Sequence, residues 1–194
     1  MSWLWQAIGL FAVTNIDDIV VLSLFFSRAN RAPGSTRRIV TGQYLGFSAI
    51  LAVSIAGALG AAQLPHSATA YLGLVPIAIG LHAARKNWRH RHDDDPDTAP
   101  ATISAWTVAG VTFSNGGDNI GVYIPAFATY SAAELEGTVA VFLILVAAWC
   151  AAGYYVTAQP AVLRAMQRFG DIIYPLALIA IGFAILIRGG AFGL

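Results

Sequence analysis

The chain has 194 residues, 57% of them hydrophobic and only 11% charged, with a formal net charge of +1. Soluble domains carry about 25% charged residues, so the composition excludes an ordinary soluble domain and is that of an integral membrane protein. The single cysteine, Cys150, excludes an intrachain disulfide, and the charge balance gives no sign of a nucleic-acid partner.

About 20 apolar residues are needed to cross a bilayer, and the sequence offers six such stretches in chain order. The first, roughly Trp3–Phe26, is too long for a signal-peptide core and lacks a basic region ahead of it. It carries "TNIDDIVV", Thr14 to Val21, where Asn15, Asp17 and Asp18 interrupt oily residues. A soft boundary around Asn30–Arg37 leads to the second, Ile39–Ala61, which brings Gln43 and Tyr44 in early. Its Gly42-x-x-x-Gly46 reads as close helix packing. The turn "QLPHSAT" precedes a short third stretch, Thr69–Ala84, with Pro76 as an expected kink and His66 and His82 as interfacial residues. Arg85–Thr102 is polar and charged, and reads as a solvated linker between two halves. Its His90, His92, Asp93, Asp94, Asp95 and Asp97 could alternatively form a weak cytosolic metal-capture patch. The fourth stretch, Ile103–Thr129, carries "SNGGDNIGVYIP", Ser114 to Pro125, a second polar motif in an apolar run. The fifth, Gly137–Ala158, holds Cys150 as a small core residue. The sixth, Ile172–Ile187, holds Pro175 as a second expected kink.

Lys and Arg set the expected orientation. Arg28, Arg31, Arg37, Arg38, Arg85, Lys86, Arg89, Arg91, Arg164 and Arg168 follow the odd-numbered stretches, and of eleven basic residues only Arg188 falls on the other side. Odd loops are therefore expected in the cytoplasm and both termini outside. The halves also resemble each other. Asp17-Asp18-Ile19 lines up with Asp118-Asn119-Ile120 at an offset of 101, and "IAIG" at Ile77–Gly80 recurs at Ile179–Gly182 at an offset of 102. Three spans per half make the halves insert in opposite orientations. The expected fold is therefore all-α and multi-pass: two inverted three-helix repeats, 1–84 and 103–194, joined by the cytoplasmic linker 85–102. Transporters of this layout bind substrate near midplane between the repeats.

A carboxylate at that depth costs roughly 2.5–3.5 kcal/mol. No Lys or Arg lies at membrane depth to offset it, so a diffusible cation or protons must. The motifs offer carboxylates (Asp17, Asp18, Asp118), amides (Asn15, Asn115, Asn119) and hydroxyls (Thr14, Ser114, Tyr123), with Gln43 and Tyr44 as further candidates. Gly116-Gly117 and Pro125 are expected to loosen the helix and free carbonyls. Oxygen ligands with two or three negative charges suit a divalent metal and do not by themselves select a soft one.

"TNIDDIVVLSLFFSRA", "GQYLGF", "YLGLVPIAIG" and "TFSNGGDNIGVYIPAFA" resemble the CadD-type cadmium-resistance transporter family, a branch of the LysE exporter superfamily, over nearly the whole chain. The resemblance implies efflux of Cd2+, with Zn2+ as a second cargo, across the plasma membrane. It carries the family's first motif onto Asn15, Asp17 and Asp18 and its second onto Asn115, Asp118 and Asn119. The linker's His and Asp residues lie outside the family pattern.

No Gly-x-x-x-x-Gly-Lys-Ser/Thr phosphate loop occurs in the sequence. Expelling a divalent cation against an inside-negative potential costs about 4.6 kcal/mol per 100 mV, twice the single-charge value. Proton antiport through the carboxylates is the expected solution, with the metal as cargo, no resident cofactor, and protons and the bilayer as the other partners. Self-association is left open. The rival readings are export of Mn2+ or an amino acid and, less in keeping with the residues, an intramembrane aspartyl protease using Asp17 and Asp118. An amino acid's carboxylate would want a basic residue at depth. A protease dyad has no use for Asp18 and the amides, and Asn115 stands where that motif's first glycine belongs.

Overall fold

The computed structural model describes residues 2–29, 33–61, 63, 71–89, 103–159 and 175–187. Every regular element among them is helical. They are α1 (Ser2–Thr14), α2 (Ile16–Arg28), α3 (Ser35–Ala61), a 3-10 turn (Tyr71–Gly73) running into α4 (Leu74–Arg89), α5 (Ala105–Asn115), α6 (Gly117–Phe127), α7 (Ala132–Val156) and α8 (Pro175–Ile187). His66, His90, His92, the acidic linker residues, Arg164, Arg168 and Arg188 lie outside the described residues.

The helix starts follow from local chemistry. Ser104 caps α5 by accepting from Thr107 N–H at 3.0 Å. Ser131 and Glu134 form a reciprocal capping box at α7, with Ser131 N–H donating to Glu134 at 2.9 Å. Gly34, with φ of 77°, supplies the left-handed turn into α3. Pro76 is not the expected kink. It sits in the first turn of α4, where its missing N–H has no helical partner to lose. Pro125, expected to loosen its helix, lies inside α6, which continues to Phe127.

By length and composition α3 and α7 each suffice to cross a membrane, at 27 and 25 residues. The first expected span is two helices: α1 and α2 pass the same test together but are bent by 55°. The fourth is likewise two, broken at Gly116 between α5 and α6. The apolar parts of α4 and α8, Tyr71–His82 and Pro175–Ile187, are shorter.

Packing directions follow from the glycines. Trp3 lies against Gly137 and Leu22 against Gly153, so α1 and α2 run alongside α7 in the same direction. A Cβ on Gly42 would stand 2.5 Å from the Ala105 carbonyl oxygen, and one on Gly46 2.7 Å from that of Ala109. Farther along, Gly116 meets Ile50 and Gly57 meets Ile124. The expected close packing at Gly42-x-x-x-Gly46 is thus present, and α3 runs parallel to α5 and α6. By contrast α4 and α8 run in opposite directions, with Gly73 on Gly182 and Gly80 on Pro175. Phe11 is the hub of the core, with ring centroids of Phe47, Phe142 and Trp149 at 5.4, 5.3 and 5.1 Å.

Candidate metal centre

Both polar motifs fall at the two helix breaks. A break leaves carbonyls of the first half-helix and N–H groups of the second without ladder partners, which costs most away from water. At the first break the side chains repair the damage. Thr14 Oγ1 donates to the Leu10 carbonyl at 2.9 Å, Asn15 Nδ2 to the Phe11 carbonyl at 2.8 Å, and Trp149 Nε1 to the Asn15 carbonyl at 2.6 Å. On the other side of each break the donors meet carboxylates. Asp17 Oδ1 accepts from Asp18 N–H at 3.1 Å, and Asp118 Oδ1 from Asn119 N–H at 2.9 Å. Asp17, Asp18 and Asp118 all lie in first helical turns, where the helix dipole favours negative charge.

The two breaks come together. Asn115 Nδ2 donates to Asp17 Oδ2 at 3.0 Å and to Asp18 Oδ1 at 3.0 Å. Gln43 Nε2 donates to Asp18 Oδ2 at 3.2 Å, and Gln43 Oε1 accepts from Thr112 Oγ1 at 2.6 Å. Asn119 Nδ2 donates to Asn15 Oδ1 at 3.2 Å. Asn15 Nδ2 also donates to the Tyr123 hydroxyl at 2.9 Å, and Thr14 Oγ1 shares a 2.7 Å hydrogen bond with that hydroxyl. The charge of Asp118 acts on both Asp17 and Asp18.

Burial sorts the cluster. Asn15, Asp18, Gln43, Asn119, Thr14, Thr112 and Tyr123 are buried, whereas Asp17, Asn115 and Asp118 are half-buried. Asn119 Oδ1 is buried with no hydrogen-bond partner, an acceptor without a donor inside a cluster of acceptors. Two candidates stand apart. Tyr44 donates its hydroxyl to the Leu143 carbonyl of α7 at 2.9 Å, and Ser114 is exposed and joins none of these bonds. Cys150 is buried in the core. Among the described residues no three His, Cys, Asp or Glu side chains are gathered as a metal cage. What the site presents is an Asp17–Asp18 pair bridged by the Asn115 amide, with Gln43 on Asp18 and the charge of Asp118 acting on both.

Two members were not singled out in the sequence. Thr112 lies one turn before Asn115 on the same helix face, so helical periodicity could have found it. Trp149 lies 134 residues from Asn15, and nothing local in the sequence points to it.

A family model described as cadmium resistance transporter matches residues 11–194, which include both motifs and every helix from α2 to α8. No curated protein and no solved structure matches the chain.

Proposed function

The chain belongs to the cadmium resistance transporter family, and from that premise we propose that it expels Cd2+, and Zn2+ as a second cargo, from the cytoplasm in exchange for protons. The metal site is lined by Asp17, Asp18, Asp118, Asn15, Asn115 and Asn119. The observation that carries this reading is the meeting of two carboxylates from one broken helix with an amide and a carboxylate from the other. Such a cluster of hard oxygens with excess negative charge suits a divalent cation. Asn119 Oδ1, buried and unpartnered, is an acceptor available to it.

The proposed frame is six spans in two inverted repeats, 1–84 and 103–194, with 85–102 as a cytoplasmic tether and both termini outside the plasma membrane. Contact symmetry supports it. Leu22 of α2 packs on Gly153 of α7, and Ile124 of α6, the residue after Leu22's counterpart Tyr123, packs on Gly57 of α3. A two-fold exchange of the halves carries each contact into the other and carries the α4–α8 pair onto itself. The parallel and antiparallel directions among the described helices agree with this threading.

The test is metal uptake into inverted membrane vesicles with Cd2+, Zn2+ and Mn2+ under an imposed pH gradient, acid inside. Cd2+ accumulation that requires the gradient is the expected result. Mn2+ uptake in place of Cd2+ would overturn the cargo, and uptake indifferent to the gradient would overturn the antiport.

A further inference from the structure

Resting on the site just proposed, this inference concerns what occupies it when no metal is bound. Asn115 Nδ2 stands 3.0 Å from Asp17 Oδ2 and 3.0 Å from Asp18 Oδ1. A carboxamide nitrogen carries two N–H donors and no acceptor, while an ionised carboxylate only accepts. Hydrogen bonding therefore fixes which end of Asn115 faces the pair. Its two positively polarised hydrogens sit between two carboxylates, the position a cation would take. The remaining oxygens are also held by N–H groups, Asp17 Oδ1 by Asp18 N–H and Asp18 Oδ2 by Gln43. The charge of the pair is thus met entirely by amide donors.

Asn115 is also the donor best placed to leave. Gln43 is buried and tied at its other end to Thr112. Asn115 is half-buried, is the last residue of α5, and is followed by Gly116 at φ −83° and ψ 17° and by Gly117. A Cβ on Gly117 would meet nothing within 4 Å, so there is open space beside the break. The terminal torsion of an asparagine is broad, and turning it withdraws both hydrogen bonds together.

We propose that Asn115 is a positioning residue that stands in for the cation. It holds Asp17 and Asp18 together while the site is empty and is displaced when a divalent metal enters. Metal binding then competes with an internal occupant. Affinity is held down so that the metal can be released, and displacement of Asn115 transmits occupancy to the α5–α6 break.

The experiment measures Cd2+ affinity by calorimetry on the detergent-purified full chain, alongside Cd2+ transport in vesicles, for the native protein, Asn115→Leu and Asp17→Asn. Leu keeps the approximate shape of Asn and removes the donors. Asn115→Leu should bind Cd2+ about tenfold more tightly, since the metal-free site loses two charge-assisted hydrogen bonds, and should transport it more slowly because release is retarded. Weaker or unchanged affinity in Asn115→Leu overturns the proposal and makes Asn115 a plain ligand or a bystander. Native affinity in Asp17→Asn overturns the underlying site and this inference with it. Infrared difference spectra of the native protein with and without Cd2+ give an answer even if Asn115→Leu does not fold. A side-chain amide band that shifts on metal addition in the native protein and is missing from the same difference spectrum of Asn115→Ser is expected, and amide bands that shift alike in both, or stay fixed while the carboxylate bands move, overturn the proposal.

Discussion

Asp17 and Asp18 are neighbours in sequence and share a low-dielectric interior, so each raises the cost of the other's charge. Amide donors from α3 and α5 offset part of that cost, and the half-helix dipole adds to this. Neutralising one carboxylate should therefore leave the fold intact and remove the cargo's partner. Asp17→Asn and Asp118→Asn are each expected to abolish Cd2+ efflux in vesicles while the protein still inserts and elutes normally in size-exclusion chromatography. Wild-type efflux in both would reject the site. Gln43→Leu should act differently, because it strips a donor from buried Asp18 and an acceptor from buried Thr112. An orphaned buried polar group costs about 1–3 kcal/mol, so a thermal melt in detergent should show lowered stability even where some transport survives. The carboxylates were legible in the sequence because charge inside an apolar run has few structural excuses. Tyr44 was misleading for a physical reason: it shares a helix with Gln43, but the adjacent position points about 100° away around the axis, toward Leu143.

Broken helices put these side chains where they are. The sequence read Trp3–Phe26 and Ile103–Thr129 as spans with a polar interruption, and located the second loosening at Gly116-Gly117. It did not reveal the 55° bend at Asn15, where Trp149 reaches across from α7 to take the Asn15 carbonyl, a contact between residues 134 apart in sequence. The contact between α3 and α5 was more legible, since small residues four apart let backbones approach. That contact carries Gln43 to Thr112 and so sets one wall of the site. Gly42→Ala should wedge the two helices apart, because the added Cβ would meet both the Ala105 carbonyl oxygen at 2.5 Å and the Val108 Cβ at 2.6 Å. Overpacking of this kind costs about 1–3 kcal/mol. Gly60→Ala, in the same helix with open space around it, is the matched control and should melt like the native protein. Equal melting of the two variants would show that the helices do not pack this closely.

The proposed opposed orientation of the two halves would give the chain a way to work as a pump. Helices α1–α2 run along α7 as α5–α6 run along α3, so rocking one half against the other can expose the same cluster to either side. Chemistry decides whether such a motion moves metal outward. A divalent cation leaving against an inside-negative potential costs about 4.6 kcal/mol per 100 mV. Two returning protons cancel that charge movement, and a third makes the potential favour the cycle. The proposed carriers of those protons are the carboxylates that release the metal, Asp17, Asp18 and Asp118. Protons and metal then compete for one set of oxygens, and the protons leave the set in coupled steps that belong to no single residue. The sign follows directly: raising the pH removes the competitor, so Cd2+ should bind more tightly from weakly acidic to neutral conditions. Binding should also eject protons into a lightly buffered solution, which calorimetry in buffers of different ionisation enthalpy would count. Asp18→Asn should lower that count without abolishing binding, because its counterpart in the other half is already an amide, Asn119. In inverted vesicles a protonophore should stop Cd2+ uptake driven by an acidic lumen. Affinity that stays constant from about pH 5 to 8, with no protons released, would rule out exchange at this site.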